Sequence, residues 1–125
     1  MPLADSLSNA KMAFETLLQH VPLPEDQIFP MYDVDRSPEE FAGVYADQLH
    51  QVLGSEGRLD LILLGMGDDG HTASLFPHTD VLQEQEKWVE AYYLAPQQMH
   101  RITFTAPFIN NAKKIVVITF GEKKA

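Results

Sequence analysis

A nearly continuous apolar run lies in the middle of the chain, Leu59-Asp60-Leu61-Ile62-Leu63-Leu64-Gly65. A strand with one face in water alternates apolar and polar residues, whereas a strand covered on both faces is apolar almost throughout. The run therefore predicts a buried strand in a parallel sheet that has helices on each side. This arrangement belongs to the α/β class.

The segments around this run favour alternating helices and strands. Ser37, Pro38 and Glu40 form a capping box ahead of a helix that continues at helical spacing until Gly54. An earlier helix is predicted to begin after Ser8. The remaining elements are an extended edge segment at 28–32, strands at 88–94, 101–105 and 114–120, and a short helical turn at 107–110. We expect a three-layer α/β domain, with a mostly parallel sheet and helices on both faces.

Both ends of the sequence look cut. The chain opens on a helix with no strand before it, and 121–125 is typical of a strand exit that enters the first turn of a helix. Complete α/β domains seldom begin or stop in this way. We therefore expect residues 1–125 to be a single partial domain, truncated at both ends.

Charge and composition exclude several classes of protein. The net charge of −9 argues against a nucleic-acid or anionic-membrane partner, because both require a basic face. No apolar run approaches the ~18 residues that cross a bilayer, and the polar start is unlike a signal peptide. The sequence has no cysteine, which excludes disulfides and fits a reducing compartment, so we expect a cytoplasmic protein.

The end of the chain is basic by contrast. Residues 101–125 contain five basic residues against Glu122 alone, namely Arg101, Lys113, Lys114, Lys123 and Lys124. Such a cluster suits a small anion such as a sugar phosphate, but charge alone favours a solvated set of lysines.

The loop after the apolar run is Gly65-Met66-Gly67-Asp68-Asp69-Gly70-His71-Thr72-Ala73-Ser74-Leu75-Phe76-Pro77. Its first six residues match the G-x-G-x-x-G pattern of dinucleotide-binding turns. Two features disfavour that interpretation. Asp68 and Asp69 would repel a pyrophosphate, and Pro77 interrupts the long helix that should follow.

A metal site is a second interpretation of the same loop. Asp68, Asp69, His71 and His78 have carboxylate and imidazole side chains, which are suitable ligands. However, the sequence lacks the H-E-x-x-H spacing, and a compact site would need further ligands from elsewhere. The spacing therefore does not favour a metal.

Acid–base catalysis is a third interpretation. Open α/β sheets bind ligands at the carboxyl ends of their strands, where this loop is predicted to lie. The spacing of Asp69 and His71 lets a carboxylate orient an imidazole that activates water. An acidic, glycine-rich turn with no chemical role explains the same residues, so the loop alone leaves both interpretations open.

The thirteen residues of the loop resemble the signature G-x-G-x-D-G-H-T-A-S-L-F-P of the 6-phosphogluconolactonases. The related glucosamine-6-phosphate deaminases share G-D-G-H but diverge after it. Further similarities follow in the family's order, at Ser8-Asn9 with Met12-Ala13, Arg101-Ile102-Thr103-Phe104-Thr105, Ile109-Asn110 and Gly121-Glu122-Lys123-Lys124-Ala125.

This resemblance implies hydrolysis of 6-phospho-D-glucono-1,5-lactone to 6-phosphogluconate in the oxidative pentose phosphate pathway, without a metal or an organic cofactor. It implies that His71 is the general base and that Asp69 holds its imidazole. The substrate-binding residues that it implies are Gly67, Gly70, Thr72, Arg101 and Lys124. Asp68 and His78 are expected to be surface or structural residues.

The resemblance is incomplete. Family members are considerably longer and begin with a strand, a phosphate loop and a D-E-R element that this sequence lacks, as it lacks the helix after Lys124. Without those strands an exposed sheet edge favours self-association. Two alternatives to the lactonase follow: an inactive fragment or interaction module of the same fold, and a related sugar-phosphate isomerase or deaminase.

Overall fold

The chain divides into two compact units, Met1–Ser37 and Pro38–Ala125. The computed structural model describes residues 4–124, so Ala125 of the similarity at 121–125 lies outside the described residues. No helix in the described part is both long and apolar enough to cross a bilayer.

The first unit contains helix α1, Asn9–Thr16. Ser8 caps it as expected, because its hydroxyl accepts a hydrogen bond from the backbone N–H of Lys11 at 3.3 Å. The extended segment expected at 28–32 does not form a strand. Tyr32 instead donates its N–H to the carbonyl of Pro30 two residues back, and Pro30 has no N–H for a ladder.

The second unit begins with helix α2, Pro38–Leu53. It starts at the predicted proline, whose fixed φ suits the first helical position, and it ends before Gly54 as predicted. Phe41, Ala42 and Tyr45 form the buried face of α2.

This buried face packs on an antiparallel hairpin formed by strands β2, Val89–Leu94, and β3, Met99–Phe104. A 3₁₀ turn, Ala95–Gln97, connects the two strands. The short helix α3, Ala106–Asn110, follows β3 and contributes buried side chains to the same unit. The apolar core of this unit includes Phe41, Ala42, Tyr45, Val89, Ala91, Leu94, Phe108 and Ile109.

The apolar run forms strand β1, Ile62–Gly65, which pairs in parallel with strand β4, Ile115–Ile118. A side-chain pair flanks the start of both strands, where the ammonium of Lys113 donates to Asp60 at 2.7 Å. In the described residues Ile62 is buried, but Leu63 and all four residues of β4 are exposed.

The α/β class and the parallel pair are thus confirmed, and the four strands lie where they were predicted to within a few residues. The pairing is less continuous than expected. The described strands form two two-stranded sheets, the parallel pair β1–β4 and the antiparallel hairpin β2–β3. The apolar run is also not covered on both faces by residues 4–124.

Candidate active site

The two parallel strands place their carboxyl ends at one edge of the sheet. The glycine-rich loop follows β1 at this edge, and a 3₁₀ turn, Glu122–Lys124, follows β4. Gly65 and Ile118, the last residues of the two strands, are register partners. The candidate base His71 and the candidate phosphate ligand Lys124 therefore belong to segments that leave the same edge of the sheet.

Asp69 and His71 are in direct contact. Oδ1 of Asp69 lies 2.5 Å from Nδ1 of His71 and also accepts the backbone N–H of His71 at 3.0 Å. These two hydrogen bonds, the backbone one first, hold the pKa of the Asp69 carboxyl below its ordinary value. An ionised Asp69 requires a proton on Nδ1, which leaves Nε2 of His71 as the basic nitrogen.

Hydrogen bonds within the loop hold its backbone in place around Asp69 and His71. The carbonyl of His71 accepts the N–H of Gly67 at 2.8 Å, and the carbonyl of Gly67 accepts the N–H of Gly70 at 3.0 Å. Gly70 has a φ of +83°, a conformation that favours glycine. The hydroxyl of Thr72 donates to the carbonyl of Gly65 at 2.8 Å, which ties the loop to the end of β1.

Phe76 supports the imidazole from within the same loop. Its buried ring stacks on His71 with centroids 4.0 Å apart and an interplanar angle of 21°. The guanidinium of Arg101 lies 5.7 Å from the centre of the Phe76 ring and donates to the side chain of Gln97. Phe76 is thus in contact with both the candidate base and one of the candidate anion ligands.

The two candidate anion ligands differ in their surroundings. Nε of Arg101 is buried and has no hydrogen-bond partner among residues 4–124. Nζ of Lys124 lies 3.9 Å from Oδ1 of Asp68, and the Asp68 side chain is largely exposed. Asp68 therefore holds Lys124 beside the loop through a weak, solvated ion pair.

A cavity of about 920 Å³ borders the loop. Asp69, Phe76 and His78 line it from the loop, and Tyr92 and Gln97 line it from the hairpin. Its volume is suitable for a small-molecule ligand. His78 itself is exposed and has a φ of +63°.

The metal interpretation gains no support from the described part of the chain. Across residues 4–124 no group of three or more histidine, aspartate and glutamate side chains lies close enough to hold a metal ion.

Three residues that support the candidate base or its loop were not identified from the sequence. Phe76 was noted as part of the thirteen-residue signature, but nothing in the sequence indicates that its ring stacks on His71. Thr103 and Tyr92 lie on the hairpin, and both bond to the backbone of Ser74. Contacts between positions so far apart in the chain can be identified only from the structure.

The comparison with protein families identifies one family. The model of the glucosamine-6-phosphate isomerases/6-phosphogluconolactonase family matches residues 1–125. The chain is 40% identical over 121 residues to the 6-phosphogluconolactonase of Synechocystis sp., covering 94% of this chain and 50% of that protein. It is 38% identical over 112 residues to the 6-phosphogluconolactonase of Homo sapiens, covering 87% of this chain and 43% of that protein.

The comparison with solved structures identifies the same kind of protein as these sequence relatives. The 6-phosphogluconolactonase from Trypanosoma cruzi superposes with a TM-score of 0.83 at 27% identity, over 99% of this chain and 53% of that one. The chain thus spans about half the length of the curated relatives that it matches. It belongs to the glucosamine-6-phosphate isomerase/6-phosphogluconolactonase family.

Proposed function

We propose that the chain hydrolyses 6-phospho-D-glucono-1,5-lactone to 6-phosphogluconate, with His71 as the general base. The observation that supports this most strongly is the contact between Nδ1 of His71 and the ionised Asp69. It leaves Nε2 free to remove a proton, at the edge of the sheet where α/β proteins bind their ligands.

The reaction follows from this geometry. Nε2 of His71 takes a proton from water as the water oxygen bonds to the lactone carbonyl carbon, and the carbonyl oxygen becomes an oxyanion. The oxyanion then re-forms the carbonyl, the bond to the ring oxygen breaks, and Nε2 returns its proton to that oxygen. Asp69 stabilises the intervening imidazolium. A positioned base of this kind increases a rate by about 10²–10⁴-fold.

Substrate binding is the second part of the proposal. We assign the phosphate to Lys124, with Arg101 as a further ligand, because Lys124 lies beside Asp68 of the loop and the guanidinium of Arg101 lies over the ring of Phe76 in the same loop. We assign Gly67, Gly70 and Thr72 to the substrate site as residues that shape the loop around the base, since their N–H groups and hydroxyl are bonded within that loop. No step of this mechanism requires a metal or an organic cofactor.

The test is lactone hydrolysis by the 125-residue chain, with the spontaneous opening of the lactone subtracted. We expect His71→Ala to reduce the enzymatic rate by about 10²-fold or more. His100→Ala is the matched control, because His100 is also partly exposed but lies on β3, with Nε2 3.6 Å from a carboxylate oxygen of Glu39. A wild-type chain without hydrolysis above background, or a His71→Ala variant at full rate, would contradict the proposal.

Two alternatives have specific support. The exposed apolar residues of β1 and β4 suit an interaction module without activity, and the absence of hydrolysis would favour that function. The family also includes glucosamine-6-phosphate isomerases, and His71-dependent release of ammonia from glucosamine 6-phosphate would favour that activity.

We further propose that the chain acts in the cytoplasm, without nucleic-acid or membrane partners. The absence of cysteine and the net charge of −9 support this assignment. Cell fractionation with antibodies to the chain tests it, and recovery in an organelle or membrane fraction would contradict it.

A further inference from the structure

Two residues of the hairpin, Thr103 and Tyr92, form hydrogen bonds to the backbone of Ser74 in the catalytic loop. The N–H of Ser74 donates to Oγ1 of Thr103 at 3.1 Å, and the carbonyl of Ser74 accepts the hydroxyl of Tyr92 at 2.6 Å. Thr103 comes from β3 and Tyr92 from β2. Side chains of both hairpin strands thus satisfy both backbone polar groups of one loop residue.

Ser74 is part of the tight turn that follows the candidate base. Leu75 donates its N–H to the carbonyl of Thr72 at 2.9 Å, which closes the turn. Ala73, inside the turn, has a φ of +50°, in the left-handed region that is unfavourable for a residue with a Cβ. This conformation persists only where neighbouring contacts over-determine it, and the two bonds to Ser74 are such contacts.

The turn is directly connected to His71. Thr72 follows the base in the chain, and its hydroxyl is bonded to the carbonyl of Gly65. Phe76, two residues after Ser74, presents the ring on which the imidazole stacks. A displacement of Ser74 therefore moves both neighbours of His71, the backbone before the turn and the aromatic ring after it.

We propose that Thr103, together with Tyr92, is a positioning residue that holds His71 against Asp69 through the backbone of Ser74. Thr103 does not touch the reacting atoms. The role of Thr103 in catalysis rests on the proposed lactonase function, whereas its role in placing His71 can be measured without any substrate.

The chain contains a matched control for a purely structural role. Thr105 is as buried as Thr103, at 0% against 2% exposure. Both hydroxyls donate to a backbone carbonyl and accept a backbone N–H. Thr103 donates to Phe104 and accepts from Ser74, and Thr105 donates to Lys87 and accepts from Phe108. Neither of these partners of Thr105 belongs to the loop. Thr103→Val and Thr105→Val therefore each remove one buried, hydrogen-bonded hydroxyl, and that of Thr105 caps α3 rather than bonding to the loop.

The first readout is the imidazole of His71 in the nitrogen-15-labelled chain. We expect wild type to show a hydrogen-bonded Nδ1 proton that disappears in Asp69→Ala. Thr103→Val should lose this signal, and Thr103→Ser, which keeps a hydroxyl, should retain it. Thr105→Val should also retain it, even if its Tm falls as much as that of Thr103→Val. Tyr92→Phe removes the hydroxyl that bonds to Ser74 and that also interacts with Phe76 and Thr79. It should weaken the signal, and it is the variant to test if Thr103→Val does not fold.

The second readout is lactone hydrolysis by the same variants. We expect kcat of Thr103→Val to fall by about tenfold or more, with KM changed less, because a small displacement of a catalytic group is costly. A Thr103→Val variant with an intact His71 signal, or a Thr105→Val variant that loses it equally, would overturn the positioning role. If wild type lacks hydrolysis, the proposed function fails while the imidazole signal still decides the role of Thr103.

Discussion

Gly67 lies against the imidazole of His71. A Cβ at position 67 would be 2.1 Å from Cε1 and 2.2 Å from Nδ1 of His71, and only 3.0 Å from Oδ1 of Asp69. Real Cβ atoms do not approach other heavy atoms so closely. Any side chain at this position therefore displaces the ring that Asp69 holds.

We accordingly expect Gly67→Ala to reduce lactone hydrolysis by about 10²-fold, since a displacement of about 1 Å has an effect of that size. Gly43→Ala is the control, because a Cβ there meets no atom within 4 Å. That change lies inside α2 and should stabilise the chain by about 0.5–1 kcal/mol. A Gly67→Ala variant with wild-type kcat would show that the imidazole position does not matter.

The Asp69 carboxyl should titrate below its ordinary pKa of about 3.9, because the N–H and the imidazole of His71 both bond to it. A lowered pKa means that the native contact stabilises the ionised form. The stabilisation is complete above the unfolded-state value and is lost as the pH falls through the lowered value.

Carbon-13 detection of the Asp69 carboxyl measures this pKa directly. The backbone amide shift of His71 should follow the same midpoint, and Asp69→Asn should abolish that acid transition. An Asp69 midpoint at or above the ordinary value would contradict the hydrogen-bond geometry of the loop.

Phe76→Leu should reduce activity with little change in substrate binding. Leucine keeps the site apolar but removes the flat ring on which His71 stacks. An aromatic pair contributes about 0.5–1.5 kcal/mol, so we expect kcat to fall by up to about tenfold.

Phe108→Leu is the matched control for the loss of a stacked, buried ring. Phe108 is buried and stacks on Trp88 with centroids 5.2 Å apart, away from the loop. Thermal denaturation should show that both variants are destabilised, whereas only Phe76→Leu should lose kcat. Equal losses of kcat would assign the effect of Phe76 to stability alone.

The parallel sheet should make the chain self-associate. Leu63, Val116 and Ile118 lie on one face of the parallel pair and are 62%, 37% and 46% exposed, and clustered exposed apolar side chains favour association. Light scattering across a concentration series should therefore detect species larger than a monomer. Val116→Lys should shift the population toward monomer, because a lysine on a strand opposes pairing with another sheet.

Val52→Lys is the control for this experiment. Val52 is 61% exposed, but it lies on α2 rather than on the sheet. This variant should associate as wild type does. A monomeric wild type at every concentration would exclude association through the sheet.

Local sequence signals predicted the elements more reliably than their partners. Pro38 and Gly54 mark the ends of α2 because capping is a property of a few adjacent residues. The apolar run indicated a parallel strand, and β1 is one. The apolar run did not predict that Leu63 is exposed, because the composition of a strand does not specify which elements cover it.

In the candidate site, too, the sequence predicted local contacts but not long-range ones. The Asp-x-His spacing indicated the pair at 69 and 71, whose contact depends on a turn of only three residues. The bonds from Thr103 and Tyr92 to Ser74 had no local signal, since they form only after β2 and β3 pair and dock on the loop.

The pairing of β1 with β4 also sets the order in which this unit folds. Ile62 must find Ile115 with the loop, the hairpin and α3 between them, whereas β2 and β3 are joined by a short turn. Closing a long loop costs more entropy than closing a short one, and parallel pairing across such distances is slow. The hairpin should therefore form early and the parallel pair late. The loop that contains His71 and the turn that contains Lys124 should then meet only in the last step, so a partly folded chain should contain the hairpin before it contains the candidate site.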